Sequence, residues 1–271
     1  MDFQNKFQNI VFKNNSLLCV GLDPVLEKIR SRTFQGVSFK GKGNILFEFN
    51  KSIIGKTFDL VCAYKLNIAF YEAYGLDGLD QLKQTIDYLK KKYSNIPIVL
   101  DAKRADIANT AKMYAKSVFE YWAADATTVY PHLGLDSLQP FFNYQEKSVF
   151  LLIKTSNPDA KMFQDLKAGV MPYWQKMATK IKKWKYKNLN LFIGATYPGD
   201  LKTVRDLFPD KIILTAGIGA QGASIGKAVK AGINKKGSGI IFNASRSIIY
   251  SQDPRGEATK LKDEINKYRA V

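Results

Sequence analysis

Eight short apolar runs alternate with helical segments along this chain, and they predict an α/β fold, a (β/α)8 TIM barrel in a single domain over residues 1–271. Three observations carry that expectation. The runs, at 17–22, 60–66, 96–100, 126–130, 149–154, 191–195, 212–216 and 239–242, are continuously apolar, as strands buried on both faces of a parallel sheet are. Segments with helical spacing lie among them at 80–92, 106–121, 173–184, 201–208, 224–231 and 256–268. Ionisable or glycine-rich residues follow nearly every run, and a barrel gathers the carboxyl ends of its strands at one mouth. An open α/β sheet is the rival, because the same rhythm builds it; eight units in a chain of about 250 residues favour the barrel.

The first run ends at Asp23-Pro24, a good turn former as well as a candidate ligand. Lys65 and Asn67 close the second, where Asn67 is expected only to brace the strand end. The third leads straight into DAKRADIANT at 101–110. Residues two apart on a strand point the same way, so Asp101 and Lys103 are expected to project together. Asp106 and Thr110, four apart at the start of a helix over 106–121, are expected to share one helical face. The stripe of Ile107, Ala111, Tyr114, Ala115, Val118 and Tyr121 on that helix is expected to pack on the sheet. Two carboxylates and an ammonium at one strand end are costly to assemble and mark a place for chemistry; the plainer reading is a chain meeting water.

Beyond the fourth run stands His132, read as a structural loop residue. Thr155-Ser156-Asn157-Pro158 after the fifth is either a plain loop or a substrate contact. GIGAQG at 217–222, after the seventh, formally matches a dinucleotide fingerprint. That fingerprint belongs on the first strand of a βαβ unit with an acid about 20 residues later, and 239–243 offers none. In a barrel, glycines here let backbone N–H groups approach a phosphate, and the loop after the eighth strand completes the cradle. Arg246 stands in that loop with a guanidinium suited to bidentate contact, and Gln221 adds an amide.

Composition narrows the partners. With 41 Lys+Arg against 24 Asp+Glu the formal charge is +17, which points to an anionic partner. The basic residues are mostly lysines scattered over outer helices, with no zinc-finger spacing and no basic stripe interleaved with stacking aromatics. Most of the charge is therefore a solvated surface, and nucleic acid is not the expected partner. No apolar run reaches membrane-spanning length, and the amino terminus lacks the pattern of a signal peptide, so a cytoplasmic protein is expected. Cys19 and Cys62 lie in strand-like runs as buried hydrophobes, and a single histidine cannot build a His/Cys zinc set.

Taken together, LLCVGLDP at 17–24, YKLNIAFYE with Lys65, DAKRADIANT, TSNP at 155–158, and GIGAQG followed by SRS at 245–247 resemble the orotidine 5′-phosphate decarboxylase family, over nearly the whole chain. The length and TSNP are most similar to the longer bacterial and protozoan branch. The resemblance implies decarboxylation of orotidine 5′-monophosphate (OMP) to UMP, the last step of de novo pyrimidine nucleotide synthesis, with no cofactor and no metal. It places the family's catalytic row on Lys65, Asp101, Lys103 and Asp106, with Lys103 as proton donor to C6. It also implies ribose contacts from Asp23 and Thr110, a pyrimidine contact from Ser156, and a phosphate cradle containing Gly217, Gly219, Gln221, Ser245 and Arg246. Asp106 and Thr110 are then expected to reach the neighbouring site of a homodimer. Ala216, where proline is common, and Ser245, where glycine is common, depart from the pattern and are expected to alter the cradle without removing its donors. Sugar-phosphate decarboxylases and hexulose-phosphate synthases on the same scaffold are the nearest rivals; they use magnesium and place an acid where Lys65 stands. A catalytically silent nucleotide-binding or nucleic-acid-binding protein is the other rival, though mere binding does not require four charges.

Overall fold

The computed structural model describes the chain except residues 31, 32, 35, 36, 39–42, 196, 218–223, 270 and 271, and only the backbone of 33, 34, 37 and 38. Its eight longer strands are β1 (Leu18–Gly21), β2 (Ala63–Asn67), β3 (Ile98–Arg104), β4 (Ala126–Val129), β5 (Ser148–Lys154), β6 (Leu189–Ile193), β7 (Ile213–Ala216) and β8 (Ile240–Ala244). Each pairs in parallel with its sequence neighbour, and β8 closes on β1 through Leu18↔Phe242, Cys19↔Asn243 and Val20↔Ala244. The expected barrel is therefore the fold. All eight runs became strands because each is apolar enough to be buried inside and out: every residue of β1, β5, β6 and β8 is buried.

The amino-terminal face is closed by elements the sequence reading did not anticipate. The helix Phe3–Asn14 starts at Asp2, whose carboxylate accepts the Asn5 N–H at 2.8 Å, and ends at left-handed Asn15. It packs near the starts of several strands: Lys6 pairs with Asp125 at 2.6 Å, Phe3 meets Phe150 edge-on, and Asn14 donates to the Phe58 and Val61 carbonyls. On the same face the buried guanidinium of Arg205 donates to the carbonyls of Phe208, Pro209, Lys211, Gly232 and Gly239. That set uses its fixed fork of donors to satisfy turns beneath β7 and β8; burial nonetheless lowers its pKa to about 10.

One helix departs from expectation where it matters. The segment 106–121 is an α-helix over Ala108–Lys116 followed by a π-helical turn, Ser117–Tyr121. Asp106 lies before it, so Asp106 and Thr110 do not share a helical face. The cause is local: Ile107 is extended and Ala108 is left-handed at φ 47°, which breaks the helical path at its first residues. The stripe also packs only in part, because Ile107 and Tyr121 are exposed while Ala111, Ala115 and Val118 are buried. Leu26–Arg30, Ile45–Thr57 and Leu135–Phe142 are further helices that the spacing did not single out.

Candidate active site

Three strand ends bring fixed charges together at the carboxyl mouth. Lys65, on β2, has a side chain only 4% exposed; its Nζ lies 3.3 Å from Asp23 Oδ1 and 3.4 Å from Asp101 Oδ2. Asp23, just past β1, also accepts the Asn67 N–H at 3.1 Å. Burial works against the Lys65 charge, but the carboxylates of Asp23 and Asp101 outweigh it and raise the pKa. Asp101, on β3, is the centre of the row. Both its oxygens lie 2.8 Å from Lys103 Nζ. Burial alone lifts a carboxyl pKa; here Lys65 and Lys103, with hydrogen bonds from Lys103 and Thr128, hold it below the usual carboxylate range.

The expected meeting of Asp101 and Lys103 occurs, by a route other than regular strand alternation. The β3–β4 register shifts between Leu100 and Arg104, and Lys103 sits in the left-handed region at φ 47°. In this irregular stretch the Lys103 N–H donates to Thr128 Oγ1 at 3.0 Å, while that hydroxyl donates to Asp101 Oδ1 at 2.7 Å. Thr128, fully buried on β4, thus ties the lysine backbone to the aspartate carboxylate. Sequence reasoning missed it, although two threonines in an otherwise apolar run were the available signal. It also missed Gly21: a Cβ there would lie 2.8 Å from Ser245 Cβ and 3.1 Å from both Asn243 Oδ1 and Asp23 Oδ2. Glycine is what lets the ends of β1 and β8 close around Asp23.

The other predicted residues fall around this row. Asp106 is half-buried, with Oδ1 accepting the Ile107 N–H at 2.8 Å, and it joins no ion pair among the described residues. Thr110 is exposed, close in sequence to exposed Ile107 and Met113. Ser156 is half-buried against Gly194, whose absent Cβ would stand 2.7 Å from Ser156 Cβ. Gly217, at φ 102°, takes the chain out of β7 in a conformation that favours glycine. Gly219 and Gln221 lie outside the described residues. Ser245 precedes the short helix Arg246–Ile249, with its hydroxyl buried and unpaired among the described residues, and Arg246 is exposed. His132 stacks between Tyr130 and Tyr173, with Nδ1 3.1 Å from the Tyr173 hydroxyl, and burial lowers its pKa.

Among the described residues, no group of three or more His, Cys, Asp or Glu side chains is placed to hold a metal ion. None of their helices is long and apolar enough to cross a membrane. A groove of about 1000 Å³ lined by Arg205, Lys230, Asn234 and Tyr268 lies on the opposite face and contains none of the residues of the charged row.

A closed parallel barrel with ion-paired lysines and aspartates at its carboxyl mouth defines a barrel enzyme site. The chain belongs to the orotidine 5′-phosphate decarboxylase / HUMPS family, whose sequence model matches residues 16–261. It is 43% identical to an orotidine 5′-phosphate decarboxylase of Cellvibrio japonicus, with all of both chains covered. The structure is similar to an OMP decarboxylase of Leishmania donovani, at TM-score 0.86 and 37% identity over 99% of each chain. It is also similar to a UMP synthase of Leishmania donovani, at TM-score 0.88 and 38% identity, over 99% of this chain and 57% of that one.

Proposed function

We propose that this chain decarboxylates orotidine 5′-monophosphate to UMP without metal or coenzyme, through one catalytic barrel domain over 1–271. The observation that carries the reading is Lys65, whose ammonium stands between Asp23 and Asp101. A divalent cation would need oxygen ligands there, and a fixed positive charge repels it. Within the matched family, this separates decarboxylation of the nucleotide from magnesium-dependent sugar-phosphate chemistry.

The residues divide the work by exposure. Lys65 is sealed, whereas the Lys103 side chain is 34% exposed at the mouth and is the ammonium able to meet a ligand. In the step, the bond from C6 to the carboxylate breaks, CO₂ leaves, and the electron pair stays on C6. Lys103 stabilises that pair as it forms, then delivers a proton from Nζ to C6. The neutral amine recovers its proton from water. Asp101 places a negative charge beside the departing carboxylate, adding repulsion that is relieved as CO₂ forms. Lys65 keeps Asp101 ionised, and Asp23 is assigned to the ribose hydroxyls. Gly217, Gly219, Gln221, Ser245 and Arg246 are assigned to the phosphate and Ser156 to the pyrimidine.

Asp106 and Thr110 are assigned to the site of a second copy of this chain. What supports this is their position outside their own row, beside the exposed apolar side chains of Ile107 and Met113. A cytoplasmic homodimer follows, in keeping with the free, buried thiols of Cys19 and Cys62. The reading is tested by following OMP absorbance with excess chelator present. Undiminished turnover is expected; complete loss of activity that added magnesium restores would make the reaction metal-dependent and sink the proposal, and no OMP turnover under either condition would favour the sugar-phosphate branch.

A further inference from the structure

A second ionic cluster stands at the carboxyl end of β5, two strands on from Asp101 and Lys103, and the mechanism above leaves it unused. Lys154, the last residue of β5, is buried with a side chain 4% exposed, yet it faces two carboxylates: Asp165 Oδ1 at 2.6 Å and Asp200 Oδ2 at 2.8 Å. The rings of Tyr197 and Trp174 flank the ammonium, with centroids 4.7 Å and 5.5 Å away. Burial opposes the charge, but the hydrogen bonds to Asp165 and Asp200 prevail and raise the pKa, so the ammonium stays charged.

The partners belong to different elements. Asp165 follows the helix Ala160–Gln164 in the excursion after β5. Asp200 lies in the first turn of the helix Pro198–Leu207 after β6, where a carboxylate is favoured by the helix dipole. Lys154 thus pins the excursion to the neighbouring barrel unit. Gln164 tightens the same loop, accepting from the Thr155 N–H at 2.9 Å and donating to Thr155 Oγ1 at 2.9 Å; that hydroxyl donates to Asn157 Oδ1 at 2.7 Å. Ser156 is the residue these bonds enclose. Its backbone N rests where a Cβ on Gly194 would come within 2.9 Å, and the Gly194 N–H donates to the Lys154 carbonyl at 2.9 Å. Stability alone gives little reason for such a cluster, since well-packed apolar side chains commonly replace buried ion pairs without loss.

We infer that Lys154 is a positioning residue: shared between Asp165 and Asp200, its ammonium sets the place of the loop that presents Ser156 to the substrate. This rests on the reading of Ser156 as a pyrimidine contact. A residue acting through Ser156 has no further effect once the Ser156 hydroxyl is gone, which a double-mutant cycle detects.

The experiment measures kcat/KM for OMP in the full-length protein, Ser156→Ala, Lys154→Met and the double variant, with folding checked by near-UV circular dichroism. Each single change is expected to lower kcat/KM by about tenfold or more, and the double variant to match the worse single within about twofold. Losses that multiply, or a Lys154→Met protein with undiminished kcat/KM, overturn the inference while leaving the role of Ser156 standing. A silent Ser156→Ala removes the reading of Ser156 and this inference with it. Should Lys154→Met fail to fold, Asp165→Asn carries the same cycle from a side chain one-third exposed, with the same non-multiplying outcome expected and multiplying losses again decisive against it.

Discussion

Replacing Thr128 by valine keeps the shape of the side chain and deletes one hydroxyl. In the structure that hydroxyl makes two bonds, a buried one donated to Asp101 at 2.7 Å and a part-buried one accepted from the Lys103 N–H at 3.0 Å. A hydrogen bond to a charged group contributes about 1.5–3 kcal/mol, and stranding a buried N–H costs about 1–3 kcal/mol. With the Lys103 N–H only part-buried, its share falls at the low end, so Thr128→Val should destabilise the protein by about 2.5–4 kcal/mol, a fall in Tm of roughly 5–15 °C for a chain of this size.

The pH dependence gives a second reading. Asp101 has a folded pKa below its unfolded value, so its stabilisation is present above the unfolded pKa of about 3.9 and is lost as pH falls through the folded one. Removing one of the bonds that hold it down raises the folded pKa. The stabilisation then shrinks and the acid limb of kcat/KM moves to higher pH, whereas Thr128→Ser should restore both. Calorimetry and a pH–rate profile measure these effects. A valine variant with Tm within about 1 °C of the parent and an unmoved acid limb would refute the role given to Thr128.

Three further outcomes follow from the site. Lys103→Ala should abolish turnover while UMP still binds by calorimetry; a near-normal rate removes Lys103 as proton donor. Mixing inactive Lys103→Ala with inactive Asp106→Ala should regenerate one intact site per mixed dimer, and no recovery despite proven subunit exchange places Asp106 in its own chain's site. Gly21→Ala forces a methyl within 2.8 Å of Ser245 Cβ and 3.1 Å of Asp23 Oδ2. It should lower kcat/KM by at least about tenfold with a measurable fall in Tm, read by kinetics and thermal melting; an unaffected enzyme would show that β1 and β8 have slack there.

How much of this was legible in the sequence depended on the range of the interaction. Strands were readable because burial on both faces forces runs of apolar side chains, as at Val149–Ile153 within β5. Lys65, Asp101 and Lys103 were readable because charge at the end of such a run is expensive unless paired. The spacing places Asp106 in a helix that in the structure begins two residues later, since nothing in the local pattern announces the left-handed Ala108. The helix Phe3–Asn14 has buried residues at 3, 7, 10, 11 and 14, so its helical period was present but not singled out. Thr128, Gly21 and Lys154 were hidden for a different reason. The partners of Thr128 are 25 and 27 residues away, those of Gly21 include Asn243 and Ser245 more than 200 away, and those of Lys154 are 11 and 46 away; Lys154 has the same end-of-run charge as Lys65, but nothing local names its partners.

The arrangement of Asp23, Lys65, Asp101 and Lys103 has an energetic corollary. Two positive and two negative side chains cancel as a set, so each ion is solvated by its neighbours in place of water. Lys65 and Asp101 are therefore held almost free of water before any ligand arrives while Lys103 stays open to meet it, and much of the solvent reorganisation that forming a carbanion in water requires is already met when the protein folds.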